Sequence, residues 1–136
     1  MLFAIKTEIR DQRAKTFAFS AQKTMYGGKL IAEGDTIFLF ASENEGGQGL
    51  IAKAVVISST KVARKPGTTR QTPRVDIMVK RTALANKPLG RRELKCFSDW
   101  KDDRPETELN FKFYRQATNK IIGITEKTAE FLRKFF

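Results

Sequence analysis

Apolar and polar positions divide this chain into a short series of segments. The longest apolar stretch runs from Gly34 to Ser59. Ile37, Phe38, Leu39 and Phe40 form a continuous apolar run after a Gly-Asp turn, the pattern of a strand covered on both faces. Glu43 to Gly49 is polar and Gly-rich, as hairpin loops are. Leu50 to Ile57 then returns with β-branched residues, Lys53 being its only charge. This pair of strands is the predicted centre of the sheet.

The other segments follow from their own periodicities. Leu2 to Glu8 reads as a strand, and the charged Ile9 to Thr16 as a loop. Phe17 to Tyr26 is predicted as a short helix closed by Gly27-Gly28. Val75 to Arg81 alternates as a further strand. After the Pro88-Leu89-Gly90 break, Arg91 to Lys95 suits a helical turn, and Asp102 to Glu108 an acidic loop. Leu109 to Arg115 alternates, with Leu109, Phe111 and Phe113 on one face, and is predicted as a strand. Ile121 to Ile124 reads as a connector. Thr125 suits an N-cap for a helix over Glu126 to Phe136, with Phe131, Leu132 and Phe135 at helical spacing. The predicted core is Ile37, Leu39, Ile51, Val55, Ile57, Phe111, Phe113, Phe131, Leu132 and Phe135.

Composition narrows the chemistry. A chain of 136 residues with 40% hydrophobic residues and eleven Phe is long enough for one domain, 1–136, with an unaided core. No apolar run approaches the roughly 20 residues of a membrane span, and the opening Met-Leu-Phe-Ala-Ile-Lys lacks the pattern of a signal peptide. The single cysteine, Cys96, excludes an intrachain disulfide and a cysteine-rich zinc site, so a reducing cytoplasm is the expected location. The absence of histidine removes Ser-His-Asp and Cys-His catalysis and histidine metal ligation. No metal and no cofactor is expected.

The net charge of +11 is concentrated in one region: residues 61–95 carry eleven Lys/Arg against two Asp/Glu. Such a block points to a polyanionic partner, nucleic acid rather than membrane, because no basic amphipathic helix accompanies it. Lys61 to Arg74 is read as a long loop, broken at Pro66-Gly67 and Pro73, with five basic residues and no acidic one. It suits either a solvated loop or a phosphate-contacting arm. The phosphate-contact candidates are Lys61, Arg64, Lys65, Arg70 and Arg74, with Arg91 and Arg92 beyond the next strand.

Three stretches together carry a family resemblance. Phe3-Ala-Ile-Lys-Thr-Glu is similar to an opening strand ending in Lys-Ser-Glu. Gly34-Asp-Thr-Ile-Phe-Leu-Phe-Ala-Ser followed by Gly49-Leu-Ile-Ala-Lys-Ala-Val-Val is similar to a Gly-Asp strand and its successor. Tyr114-Arg115-Gln116, then Ile124-Thr-Glu and an amphipathic helix, is similar to an Arg-Gln ending. In this order they resemble the PUA-like superfamily, and within it the EVE domain, a relative of YTH and ASCH domains. Thr7 stands where that family usually has Ser, Ile9 where it has Pro, and its Trp-rich segment has no match in Ser20 to Lys29. The resemblance implies a mixed α/β pseudobarrel of about five to six strands, flanked by short helices and ending in a helix. It also implies a cleft that accepts a base, often a modified one, in DNA or RNA.

A pocket for a flipped base needs a ring to stack on and polar groups for the base edge. The candidate rings are Tyr26, Phe40, Trp100 and Tyr114, of which Phe40 better suits the core and Trp100 a lid over it. The candidate polar groups are Lys6, Thr7, Ser42, Arg115 and Gln116. Three functions fit. The first is a non-catalytic nucleic-acid-binding module that recognises a modified base. The second, implied by the ASCH relatives, is an amidohydrolase on a modified nucleoside. There Lys6 would act with a distant Thr and Glu, since Thr7 points away from Lys6 and Glu8 in a strand. The third is a pocketless RNA-binding accessory domain that works through its basic loop. No residue is assigned as catalytic.

Overall fold

The computed structural model describes residues 2–63, 67, 72–99, 101–115 and 118–136. Among them, six strands close a barrel: β1 (Leu2–Thr7), β2 (Thr16–Met25), β3 (Thr36–Ala41), β4 (Gly49–Lys61), β5 (Arg74–Leu84) and β6 (Lys120–Gly123). Around the barrel the order is β1-β3-β4-β5-β2-β6, with β6 returning to β1. Strand β1 runs parallel to β3, pairing Lys6 with Phe40, and antiparallel to β6, pairing Lys6 with Lys120.

A layer of helices covers one side of the barrel: α1 (Arg91–Leu94), α2 (Pro105–Leu109) and α3 (Glu126–Arg133). This placement explains the hydropathy pattern. Strands β1 and β3 lie between the barrel interior and the helices, and both are buried nearly throughout. Strand β5 has one buried face, so Val75, Ile77 and Val79 alternate with exposed Asp76, Met78 and Lys80. The interior core is built on Phe3, Ile5, Phe17, Phe19, Ile37, Leu39 and Val56. A second core, between barrel and helices, holds Phe38, Phe40, Leu94, Leu109, Phe113, Ile122 and Leu132.

The strand–turn–strand centre, the turn at Arg91 and the Thr125 cap are present as expected; Thr125 Oγ1 accepts from Thr128 N at 3.2 Å. Four expectations are corrected. Residues 17–25 lie in β2, not a helix, and Tyr26 begins the turn after it. Phe17 and Phe19 point inward, but a bulge between Phe19 and Gln22, with Ala21 at φ 49°, breaks the alternation that marks a strand. Residues 109–114 are helical, not extended. α2 begins at Pro105 and continues into a π-helical turn over Asn110–Tyr114, closed by Arg115 N donating to Asn110 O at 3.1 Å. Leu109 and Phe113, four apart, are buried, whereas Phe111 is exposed. The connector at 121–124 is largely strand β6, which closes the barrel with only four residues. Finally, β4 turns Ala52, Ala54 and Val56 inward, leaving Ile51 and Val55 half-buried and Ile57 exposed. A one-residue change of register exchanges the faces of a strand.

Candidate functional site

Parallel pairing brings the C-terminal ends of β1 and β3 together, and β6 begins beside them. Along β1, Phe3 and Ile5 face the barrel interior and Ala4 faces the helices, so Lys6 also lies on the helix side. Lys120 and Ile122 take the same side of β6. The register therefore sets Lys6 and Lys120 next to each other under the helical layer. Lys6 is 1% exposed and Lys120 is fully buried. Neither ammonium has a hydrogen-bond partner among the described residues. Every buried donor normally finds one, so two buried cations facing the same space are an unusual arrangement.

Several groups surround the pair. Lys6 Nζ lies 5.1 Å from the centre of the Tyr114 ring, which the π turn carries over β1. The Tyr114 hydroxyl donates to the Glu43 carboxylate, 3.1 Å from both oxygens. Glu43 Oε2 also accepts from Arg91 N at 2.6 Å, and the Arg91 guanidinium lies 5.8 Å from the same ring. Ser42, just past β3, has a buried Oγ without a well-aligned hydrogen bond, although the exposed Glu45 lies beside it. Asn119 donates to Glu45 Oε1 at 2.8 Å and keeps its own buried Oδ1 unpartnered among the described residues. This buried polar cluster, the recess of Lys6 and Lys120, thus gathers ammonium and hydroxyl groups beside two carboxylates.

Burial holds Lys120 below the usual lysine range, and the charge of Lys6 pushes it further down. Burial also lowers Lys6; Glu43 and Glu45 oppose that shift and Arg91 reinforces it. The two carboxylates thus support the charged form of Lys6, whereas Lys120 meets burial and the like charge of Lys6. Burial raises the Tyr114 hydroxyl, and the Glu43 charge adds to the effect, so Tyr114 stays a neutral donor. The Ser42 hydroxyl, with help from Asn119, holds Glu45 below the usual carboxylate range.

The structure groups some of the expected site residues and separates others. Lys6, Ser42 and Tyr114 share the recess. Thr7 lies on the opposite face of β1. Phe40 is not available as a stacking platform: it is fully buried 5.1 Å from Phe113, because β3 is covered on both sides. Arg115 is exposed and lies over Phe111, 5.5 Å from its centre, near Tyr26 rather than Lys6. Among the phosphate-contact candidates, Lys61 and Arg92 are exposed, whereas Arg74 donates to Ala21 O at 2.8 Å and Arg91 to Asn44 Oδ1 at 3.0 Å. Trp100, Gln116, Arg64, Lys65 and Arg70 lie outside the described residues. Sequence reasoning missed Lys120, Glu43 and Asn119. The signal available was a lysine heading the apolar run Ile121-Ile122, a charge the strand must bury.

No protein-family model matches the sequence, and no curated protein sequence does. The architecture, however, has solved counterparts. The DUF55 domain of human thymocyte nuclear protein 1 superposes with a TM-score of 0.66 at 12% identity, over 98% of this chain and 97% of that one. At this identity the likeness is one of fold, a closed six-stranded barrel with short helices and a C-terminal helix, consistent with the pseudobarrel expected from the sequence. Human THYN1 protein in complex with 5-methylcytosine-containing DNA has the same barrel at a TM-score of 0.65 and 12% identity, over 98% and 95% of the two chains. A Pseudomonas putida protein has it at 0.65 and 13%, over 99% of each chain. In the barrel of the present chain, Lys6 and Lys120 sit where one barrel end meets the helical layer.

Proposed function

We propose that this protein binds nucleic acid and holds a modified base in the recess framed by Lys6, Ser42, Tyr114 and Lys120, without catalysing a reaction. The observation that carries this reading is the pair of buried ammonium groups with no hydrogen-bond partner among the described residues. Groups of this kind are costly to bury unless something completes them. The carbonyl and ring-nitrogen acceptors on a base edge match these donors, and a base extruded from its stack is read in this way. The exposed cations Lys61 and Arg92 belong to the basic block and supply phosphate contacts, which position the strand without reading sequence. The likeness to a human protein solved with 5-methylcytosine-containing DNA makes DNA carrying that base the first ligand to try.

The test uses short oligonucleotides, DNA and RNA, identical except for cytosine or 5-methylcytosine at one position. Binding is followed by fluorescence anisotropy across a salt series. The native protein should prefer one form, and Lys6→Met should abolish the preference while leaving the salt slope unchanged. Equal affinities for all the oligonucleotides, unaltered by Lys6→Met, would overturn the proposal.

One observation favours a second reading, the amidohydrolase. A buried lysine held below its usual range can serve as a base or nucleophile. Against it, Thr7 faces away, and Glu43 is already engaged by Tyr114 and by the backbone of Arg91. Release of a carboxylic acid from an acylated nucleoside, lost in Lys6→Met, would select this reading over the first.

A further inference from the structure

Away from the recess, the surface carries an aromatic pair that the fold holds outward. Tyr26 is 41% exposed and Phe111 is 42% exposed. Their rings meet edge to face, with centres 6.4 Å apart. Each has a cation at its ring: Lys112 Nζ lies 5.1 Å from the centre of Tyr26, and the Arg115 guanidinium 5.5 Å from that of Phe111. Lys112 is fixed, because its ammonium also donates to Glu108 at 2.7 Å and to Gly123 O at 2.9 Å. Arg115 is exposed, so its guanidinium is accessible to a phosphate or a base face.

The backbone commits to this display. Tyr26 sits at φ 52°, a left-handed conformation that a bulky aromatic seldom adopts. It is held there by Gly123 N, which donates to Tyr26 O at 3.2 Å. A Cβ on Gly123 would fall 2.5 Å from that carbonyl oxygen, so only glycine lets β6 approach so closely. Strand β6 therefore joins the two features: Lys120 at its start lies in the recess, and Gly123 at its end pins Tyr26. Three residues of strand span about 10 Å, the rise of roughly three stacked nucleotides on one strand.

We infer that Tyr26, Phe111 and Arg115 form a stacking platform for an unpaired base a few nucleotides along the strand from the one in the recess. The occupant is a nucleotide of the same single or locally opened strand, rather than a protein or lipid. The argument for it is charge: both rings are flanked by cations on a chain of net charge +11. Aromatic rings beside basic groups are how single strands are bound without sequence preference. The inference rests on the proposed base-binding recess and adds a second contact along the strand.

The test compares a modified mononucleoside with a short single-stranded oligonucleotide carrying the same base, both at high salt. Two variants are used, because one changes the backbone requirement: Phe111→Ala, and Tyr26→Asn, which tolerates the left-handed conformation. Both positions are exposed, and thermal unfolding confirms that the variants fold. Each should weaken the oligonucleotide by about 5- to 150-fold, the loss of one stacked base, and leave the mononucleoside within twofold. Lys6→Met should weaken both ligands. If both platform variants bind the oligonucleotide within twofold of the native protein while Lys6→Met loses it, the platform is refuted and the recess stands. If Lys6→Met also binds normally, the recess reading fails, and the platform inference fails with it.

Discussion

Replacing Lys120 by methionine should make the protein more stable and, at the same time, worse at its proposed task. Lys120 is fully buried, sits beside Lys6 in the β1–β6 register, and has no hydrogen-bond partner among the described residues. Methionine keeps the unbranched stem that packs among Ile122 and its neighbours and removes the charge. Replacing buried charged groups by apolar residues of similar volume stabilises by up to about 1–4 kcal/mol. For a domain of this size that is a rise in Tm of roughly 3–15 °C.

The pH dependence supplies an independent check. Burial and Lys6 lower the Lys120 pKa in the folded state. Below that lowered value the ammonium is charged in both states, and the folded state carries the whole penalty. Between the lowered value and the unfolded value of about 10.4, the unfolded chain binds more protons, so stability rises with pH. The advantage of Lys120→Met should therefore be largest below that lowered value and should shrink as pH rises from it toward about 10.4. Urea denaturation of both proteins at several pH values measures it, with the slope against urea checked for constancy. A variant less stable than the native chain by more than about 1 kcal/mol at pH 7 would refute the reasoning. It would mean that Lys120 is paired in solution and that its charge holds the fold together. Binding of the modified oligonucleotide by the same variant should fall, the trade of stability against function expected where a site holds uncompensated charge.

Phe40→Ala should destabilise by about 3–5 kcal/mol in chemical denaturation; a cost under 1 kcal/mol would mean that Phe40 is not sealed against Phe113. Glu108 lies below the usual carboxylate range. Burial alone would raise it, but Lys112, Thr128 and Thr125 together overcome that effect. Its contribution is present above the usual carboxylate pKa and is lost as pH falls through the lowered value, so Glu108→Gln should flatten the acid limb of a stability–pH curve; an unchanged limb would discount the network. Neutralising Lys61 and Arg92 should reduce the slope of log K against log salt by about 0.9 per contact on duplex or 0.7 on single strands, with base preference intact; an unchanged slope would leave both as solvated charges. Arg74 is left out of that pair, because its guanidinium supports the β2 bulge at Ala21.

Much of the fold was legible wherever one face of an element meets one environment. The run Ile37 to Phe40 announced a strand buried on both sides, and β5 alternated because it has only one buried face. The Thr125 cap and the helix after it followed from local hydrogen-bond chemistry. Local pattern failed where two periods coincide or where an irregularity interrupts one. Leu109, Phe111 and Phe113 alternate, yet Leu109 and Phe113 also stand four apart, and burial of that pair against the barrel selected the helix. In β2 a one-residue bulge erased the strand signal from Phe17 and Phe19.

Composition alone excluded histidine and disulfide chemistry and located the positive charge in residues 61–95. The family resemblance brought Lys6 forward as a candidate polar group. The identity of the recess belonged to the tertiary structure. Lys6 and Lys120 are 114 positions apart in the chain, and neither residue's neighbours indicate the other. They meet because β6, four residues long, has too little intrinsic preference to form alone and exists only by pairing with β1 and β2. Tyr114 reaches them because the π turn advances it over β1, and Arg115 parts from them because the same turn sends it toward Phe111. Side-chain chemistry is written residue by residue, but which charges share one buried space depends on strand register and barrel closure, and those depend on contacts between distant parts of the chain.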